Sequence, residues 1–288
     1  MTKKKIAWII DTTAHLTDEL LNHPDVYITP LSIHFSDEQF VDGDPENTSY
    51  LYDKINSSEE IPKTSQPSTG SFVELYTKLK ETYDGAIAVH ISSKISGTPG
   101  SSKAGAEMAG FDVRVVDSLA MSYGITFMVE RSMEVFEETN DIDKAEAVVR
   151  SLIGKMTSFV LIGNLKQLYR GGRMSGVQYF VGSLLRVKPV VQMSPEGELF
   201  PLDKVRSDKR GFQYLIDRAV ERKDFIKRRI AIVHGNAPER AEKLKIALQE
   251  AIPGMDVRVG EISSTIAVHA GEKTLAILWF EEEGTYDA

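Results

Sequence analysis

One ordering recurs along this chain and restricts its fold more than any other feature. A short apolar run ends in acidic or hydroxyl-bearing residues, and a helical pattern follows. Ile6 to Ile10 runs into Asp11-Thr12-Thr13, and Thr17-Asp18-Glu19 then offers a cap and an acidic first turn. Gly85 to Ile91 runs into Ser92-Ser93-Lys94-Ile95-Ser96-Gly97-Thr98, ahead of a small-residue helix at Ser101 to Ala109. Phe111 to Val116 runs into Asp117-Ser118, ahead of a long helix at Ser122 to Thr139. Unalternated apolar runs of this length read as strands buried on both faces. Their alternation with helices predicts a doubly wound parallel sheet. Ligands of such sheets sit outside the carboxyl ends of the strands, and the three polar loops would share that edge.

Between these units, Val26 to Ile33 reads as a second strand interrupted by Pro30, Ser32 to Gly43 as a hairpin and Ser49 to Asn56 as a helix. The segment IPKTSQPSTG, residues 61–70, reads as a polar loop. Behind it Phe72, Leu75, Tyr76 and Leu79 mark one face of a helix. After Lys144 to Lys155, another helix, the pattern changes. Phe159 to Ile162 is a strand, Leu165 to Arg173 a helix ending in Gly171-Gly172-Arg173, and Tyr179 to Leu185 an apolar helical stretch. Val187 to Gln192 and Glu198 to Leu202 flank Ser194-Pro195-Glu196-Gly197, which predicts an antiparallel hairpin. Strands at 229–234, 257–262 and 275–280 alternate with helices at 208–222 and 238–251, while Thr265 to His269 fits neither type. The expectation is an α/β protein of two domains. Residues 1–157 form a doubly wound parallel sheet, and residues 158–288 form a second α/β domain with a mixed or antiparallel sheet. A length of 288 residues suits that division.

Composition excludes several functions. The formal net charge is -8 and basic clusters are short, which argues against nucleic acid. The absence of cysteine excludes disulfides, thiolate chemistry and Cys-ligated zinc, and no two histidines have metal-ligand spacing. No cofactor is expected. The basic start is followed by only five apolar residues before Asp11, too few for a signal peptide. No apolar run approaches a membrane span, and a cytoplasmic protein is expected.

Four segments carry polar groups that suit chemistry. Thr64-Ser65-Gln66-Pro67-Ser68 sets four hydrogen-bonding side chains beside a helix start, where hydroxyls are routinely caps. In Ser92 to Thr98, Gly97 permits close approach of a ligand and the following helix end favours an anion. The neighbouring GTPGSSK lacks the spacing of a nucleotide-phosphate loop. His269, like His90 and His234, is a lone histidine in an apolar stretch, more often an interior residue than a functional one. Arg170-Gly171-Gly172-Arg173 suits a helix stop and equally an exposed anchor for an anion or a partner.

Taken in order, these pieces resemble the DegV family of bacterial fatty-acid-binding proteins. The resemblance runs from Asp11-Thr12-Thr13 through Lys63 to Ser68, Ser92 to Thr98, Asp117-Ser118, Gly171 to Ser175 and Val187-Lys188-Pro189 to Val268-His269, nearly the whole chain. It implies a lipid tunnel at the interface of two domains, holding one long-chain fatty acid without catalysis. It also implies that Thr64, Ser96 and His269 bind the carboxylate, with Ser65, Gly97 and Thr98 nearby. Arg173, with Arg170, would lie on a surface that docks a fatty acid kinase. Phe159 to Ile162, Tyr179 to Leu185, Val190 and Ile266 are candidates for the tunnel wall. Two departures stand out. The family's usual His-Thr-Gly-Pro-Gly is here His269-Ala270-Gly271-Glu272-Lys273, and the SGT segment continues Pro99-Gly100-Ser101.

Two rival readings follow from the residues. Ser96 as nucleophile, His269 as base and Asp11 or Asp117 as orienting carboxylate would make an acyl hydrolase or transferase, although Ser96 lies in no nucleophile elbow. A regulatory module binding a phosphorylated metabolite at the SGT loop is the third class.

Overall fold

The structure is a computed structural model that describes residues 4–43, 48–58, 60, 62–174 and 187–284. Its first sheet consists of β1 (Ile6–Asp11), β2 (Val26–Thr29), β6 (Gly85–His90) and β7 (Val113–Asp117), in the order β2-β1-β6-β7 with every pair parallel. Period-two alternation sends Ala7, Ile9, Ala86 and Ala88 to one face, against Phe72, Tyr76 and Leu79 of α3 (Thr69–Leu79) and Ala106 of α4 (Thr98–Ala109). The opposite face sends Ile6, Trp8, Ile10, Ile87 and Val89 against α5 (Tyr123–Thr139) and α6 (Ile142–Leu152). Helices on both faces explain why these strands read as continuous apolar runs.

Pro30 does more than interrupt a strand. The chain leaves β2 at Thr29 and re-enters as β3 (Ser32–His34), which belongs to a different sheet. There β4 (Gln39–Val41) and β5 (Lys63–Ser65) flank β3, both antiparallel to it. The expected hairpin at 32–43 is present. Lys63 to Ser65 was expected as loop and is a short strand, because β3 supplies the ladder partners that its polar side chains do not advertise. Between β1 and β2 lies α1 (Asp18–Asn22), capped by the Thr17 hydroxyl, and α2 (Thr48–Ser57) follows β4.

The second sheet is mixed, as expected. β8 (Met156–Leu161), β9 (Lys188–Met193), β10 (Leu199–Val205), β11 (Arg229–His234), β12 (Asp256–Glu261) and β13 (Leu275–Phe280) take the order β10-β9-β8-β13-β11-β12. Only β11 and β12 pair in parallel. One face, with Phe159, Leu161, Val190, Ile230, Ile232 and Ile277, is covered by α8 (Asp208–Arg222) and α9 (Pro238–Ala251). The other, with Val191, Ala231, Val233, Ala276 and Leu278, meets α7 (Leu165–Gly171) and α10 (Ser264–Ala270). The segment around Thr265 thus proves helical, started by the Ser263 hydroxyl accepting the Ile266 amide at 3.3 Å. Among the described residues, no helix is long and apolar enough to cross a membrane, and no group of acidic or histidine side chains could hold a metal ion.

The turn of the β9–β10 hairpin ties the two sheets together. The Ser92 hydroxyl, beyond β6, donates to the Gly197 carbonyl at 2.8 Å. Gly197 has φ +83°, and a Cβ there would fall 2.3 Å from Ser92 Oγ, so only glycine permits the contact.

Candidate functional site

A cavity of about 350 Å³ opens where the carboxyl edge of the first sheet faces the helix-poor face of the second. That volume lies within the range of small-molecule sites. From the first sheet's loops come Thr13, Ile91, Ser93 to Gly97, Met121 and Ser122; from the second sheet, Met156, Ser158, Val160, Val191, Met193, Val233 and Leu278. Ile162, Leu168 and Ile266 complete the apolar wall. Of the wall residues expected, Val160, Ile162 and Ile266 line it. Phe159, Leu161 and Val190 do not; strand alternation turns them to the α8–α9 face, and Val191 takes the place foreseen for Val190. Tyr179 to Leu185 lies outside the described residues.

Thr64, Ser96 and His269 all line this cavity, although they lie far apart in sequence. Thr64 is the middle residue of β5, paired with Ile33, and its Oγ1 lies 3.0 Å from His269 Nε2. Ser96 is half-buried in the loop before α4, where its hydroxyl pairs with Thr98 Oγ1 at 2.9 Å and accepts the Thr98 amide at 3.3 Å. Thr98 is fully buried and is not part of the wall; it orients Ser96 from beneath. Gly97 and Ser65 line the cavity, the Ser65 hydroxyl lying 2.8 Å from His34 Nε2. Gln66 docks the two loops on each other, accepting the Gly97 amide at 3.1 Å and donating to Ser101 Oγ at 3.0 Å. Ser68 is the N-cap of α3, accepting the Ser71 amide at 3.0 Å. Five neighbouring residues therefore divide between ligand space, loop docking and capping.

His269 sits in the last turn of α10 with its ring against α7. A Cβ on Gly171 would lie 2.4 Å from its Nδ1, so the glycine is what lets the imidazole reach Thr64. Burial, and then the Arg173 charge, lower its pKa from the ordinary 6.5 to about 4, which leaves the ring neutral near pH 7. Nδ1 is buried and has no hydrogen-bond partner. Arg173 is exposed, yet it also lines the cavity, held by a 2.7 Å bond from its guanidinium to the Gly171 carbonyl. Arg170 is exposed in the last turn of α7 and does not line it. Sequence reasoning offered Arg170 and Arg173 as an exposed anchor for an anion or a partner, and the family resemblance placed Arg173 on a docking surface. The cue to its second position was the Gly171-Gly172 pair: α7 stops at Gly172, with φ +65°, and Arg173 follows in the cavity wall.

The arrangement does not form a hydrolytic triad. Ser96 bonds to Thr98 rather than to His269, and His269 presents Nε2 to Thr64, while Nδ1 packs against Gly171 with no carboxylate to orient it. A triad-like geometry does exist elsewhere, in the order Ser102, His90, Asp11. His90 Nε2 lies 2.9 Å from Ser102 Oγ and Nδ1 lies 3.2 Å from Asp11 Oδ2. All three are fully buried and outside the cavity wall, so no substrate reaches them. His90 is an interior histidine, as expected.

Comparison with known proteins gives the chain its family. Residues 5–282 match the family model described as uncharacterised protein, DegV family. A DegV domain-containing protein of Halalkalibacterium halodurans is 31% identical over 286 residues, covering 97% of this chain and 99% of that protein. Protein DegV of Bacillus subtilis is 29% identical over 279 residues, 95% of this chain and 98% of its own. Among solved structures, a fatty-acid-binding DegV family protein of Streptococcus agalactiae matches with a TM-score of 0.89 at 30% identity, over 97% of this chain and 99% of that one. A DegV family protein of Thermus thermophilus, described by its fatty acid binding, matches with a TM-score of 0.87 at 27% identity, over 96% and 99%. With its fold and nearly its whole length matched, the chain belongs to the DegV family.

Proposed function

We propose that this chain binds one long-chain fatty acid, its carboxylate at Thr64, Ser96 and His269 and its hydrocarbon tail along the apolar wall, and that it carries the acid without transforming it. The convergence of those three polar groups from three distant segments onto one largely apolar cavity is the observation that supports this. The fatty acid binding described for the Streptococcus and Bacillus relatives supports it too.

The energetics suit an acid with a long tail. Burial is worth about 0.8 kcal/mol per methylene, on the order of 12 kcal/mol for about fifteen, before the cost of association. Head-group hydrogen bonds add about 1 to 3 kcal/mol each and set the direction of the chain. A neutral imidazole offers a hydrogen bond but no charge, so the countercharge falls to Arg173 in the cavity wall. Arg173 is also exposed, beside Arg170 and the half-exposed Tyr169. That surface suits delivery of the head group to a partner, for which a fatty acid kinase is the reading the family resemblance favours.

The test is extraction of the purified protein under denaturing conditions with mass spectrometry of the extract. A stoichiometric long-chain acid is the expected result; a phosphorylated small molecule would favour a regulatory module instead. Incubation with a chromogenic acyl ester should give neither turnover nor acylation of Ser96.

A further inference from the structure

One end of the cavity is shaped by a residue that is not part of its wall. Along β8 the wall residues alternate: Met156, Ser158 and Val160 face the cavity, and Ile162 follows just past the strand. The Ile162 end lies beside the carboxylate groups, because the Asn164 amide donates at 3.1 Å to the carbonyl of Ala270, the residue after His269. From there β8 carries the wall away from the imidazole over about 20 Å, at about 3.3 Å per residue, to Met156. Met193 stands beside Ser158, its amide donating to the Ser158 hydroxyl at 3.2 Å, so two flexible thioethers line this remote stretch. Met156 is seated against α5. A Cβ on Gly124 would fall 2.5 Å from its Sδ and 3.7 Å from its Cε, so the thioether occupies the space that a side chain there would take. Gly124 is buried in the first turn of α5, has no positive φ, and does not line the cavity. Glycine is a poor helix former, and backbone conformation does not call for it here. Close approach of Met156 does.

Space at the remote end of an apolar cavity converts into acyl length. Each methylene that finds room adds to affinity, and one that does not must strain the wall. A methyl group at position 124 would turn the Met156 thioether out of its seat and into the cavity. We propose that Gly124 is a specificity-determining residue that sets the longest acyl chain the cavity accepts, by seating Met156 against α5 and leaving the space in front of it to the tail. Gly124 acts through Met156 and touches no ligand itself. This rests on the fatty-acid reading of the same cavity and assigns its limit of chain length to a pair outside the carboxylate site.

The experiment measures affinities of the full chain, after exchange of co-purified lipid, for saturated acids from dodecanoic to eicosanoic. Alanine is the better helix former, and its methyl would stand 3.1 Å from the Ala120 Cβ, a contact that a small shift relieves, so Gly124→Ala should fold. The native chain should gain affinity with acyl length up to a limit. Gly124→Ala should bind the shortest acids as the native chain does and reach its limit at a shorter acid. Beyond that limit it should bind about fourfold more weakly for each methylene excluded. Met156→Ala should move the limit to a longer acid. Gly124→Ala combined with Met156→Ala should restore the long acids to native affinity, a rescue that a structural fault in α5 would not show. Coincident profiles for the native chain and Gly124→Ala would overturn the proposal, as would an equal loss at every length or a double variant that does not recover. If the native chain binds no acid of any length, the fatty-acid reading falls, and this proposal with it.

Discussion

Two regions of this protein use the same vocabulary of one histidine and several hydroxyls to opposite ends. Around His90, Asp11 accepts the amides of Thr13 and Ile91 and the Thr13 hydroxyl, and faces His90 Nδ1; His90 Nε2 meets Ser102, whose hydroxyl lies 2.6 Å from that of Tyr76. Each of these groups is buried and has a partner inside the protein. Around His269, Thr64 takes one ring nitrogen, the other has no partner, and a cavity adjoins. The difference teaches that residue type does not mark a binding site. Polar side chains that border open space do, because a ligand can bond only to what it can reach.

The comparison breaks most readily at Asp11. Asp11→Ala would strand the Thr13 and Ile91 amides and the His90 ring in a dry interior. We expect a loss of about 3 to 5 kcal/mol in unfolding free energy by urea titration, the cost of removing one partner from a buried charged network. Acid affinity of the molecules that remain folded should change little. A loss under about 1 kcal/mol would mean that the network is not structural.

The distinction was only partly legible in the sequence. Strand, polar loop and helix in succession are enough to predict a parallel sheet and a polar carboxyl edge, because burial on both faces writes itself as an apolar run. The SPEG turn marked the β9–β10 hairpin for the same local reason. Lys63 to Ser65 could not be seen as a strand, since its partner is the equally short Ser32–His34, about thirty residues away in a ladder set by tertiary contact. Nor could Phe159 be told from Val160 as wall or core: alternation says that they differ, but not which face meets the cavity. His90 and His269 looked alike as lone histidines, and only the packed environment separates them.

Gly171 sharpens the comparison from the other side. It ends α7, and alanine would ordinarily be favoured there by up to about 1 kcal/mol. Its Cβ, however, would fall within 2.4 Å of His269 Nδ1 and push the ring off Thr64. Gly171→Ala should therefore weaken fatty acid binding about thirtyfold, roughly 2 kcal/mol, in a displacement assay with little change in urea midpoint. Retained affinity would show that the imidazole's position is not needed.

Ser96→Ala should have a smaller effect, about 1 kcal/mol or five- to tenfold in affinity, because Thr64 and His269 remain. Its stability should fall by about 1 kcal/mol, because the buried Thr98 loses the partner of its hydroxyl and of its amide. Removing Ser102 instead should cost stability and spare affinity.

The smallest effect is silent at neutral pH. The folded pKa of His269 is lowered to about 4 from an ordinary 6.5, so between those values the unfolded chain binds a proton that the folded chain refuses. Stability from this group is complete above pH 6.5 and is lost as pH falls toward 4. His15 and His234, also lowered by burial, act in the same direction, while Asp42, raised by burial, acts oppositely. The native chain must therefore be compared with His269→Gln, in which the other three are unchanged. The difference in their unfolding free energies should be flat above pH 6.5 and should shift in favour of the variant below it. A flat difference down to pH 4 would mean that burial does not lower the folded pKa, whereas a difference that shifts against the variant as pH falls would mean that it is raised, and the countercharge at the carboxylate would then be the imidazolium rather than Arg173.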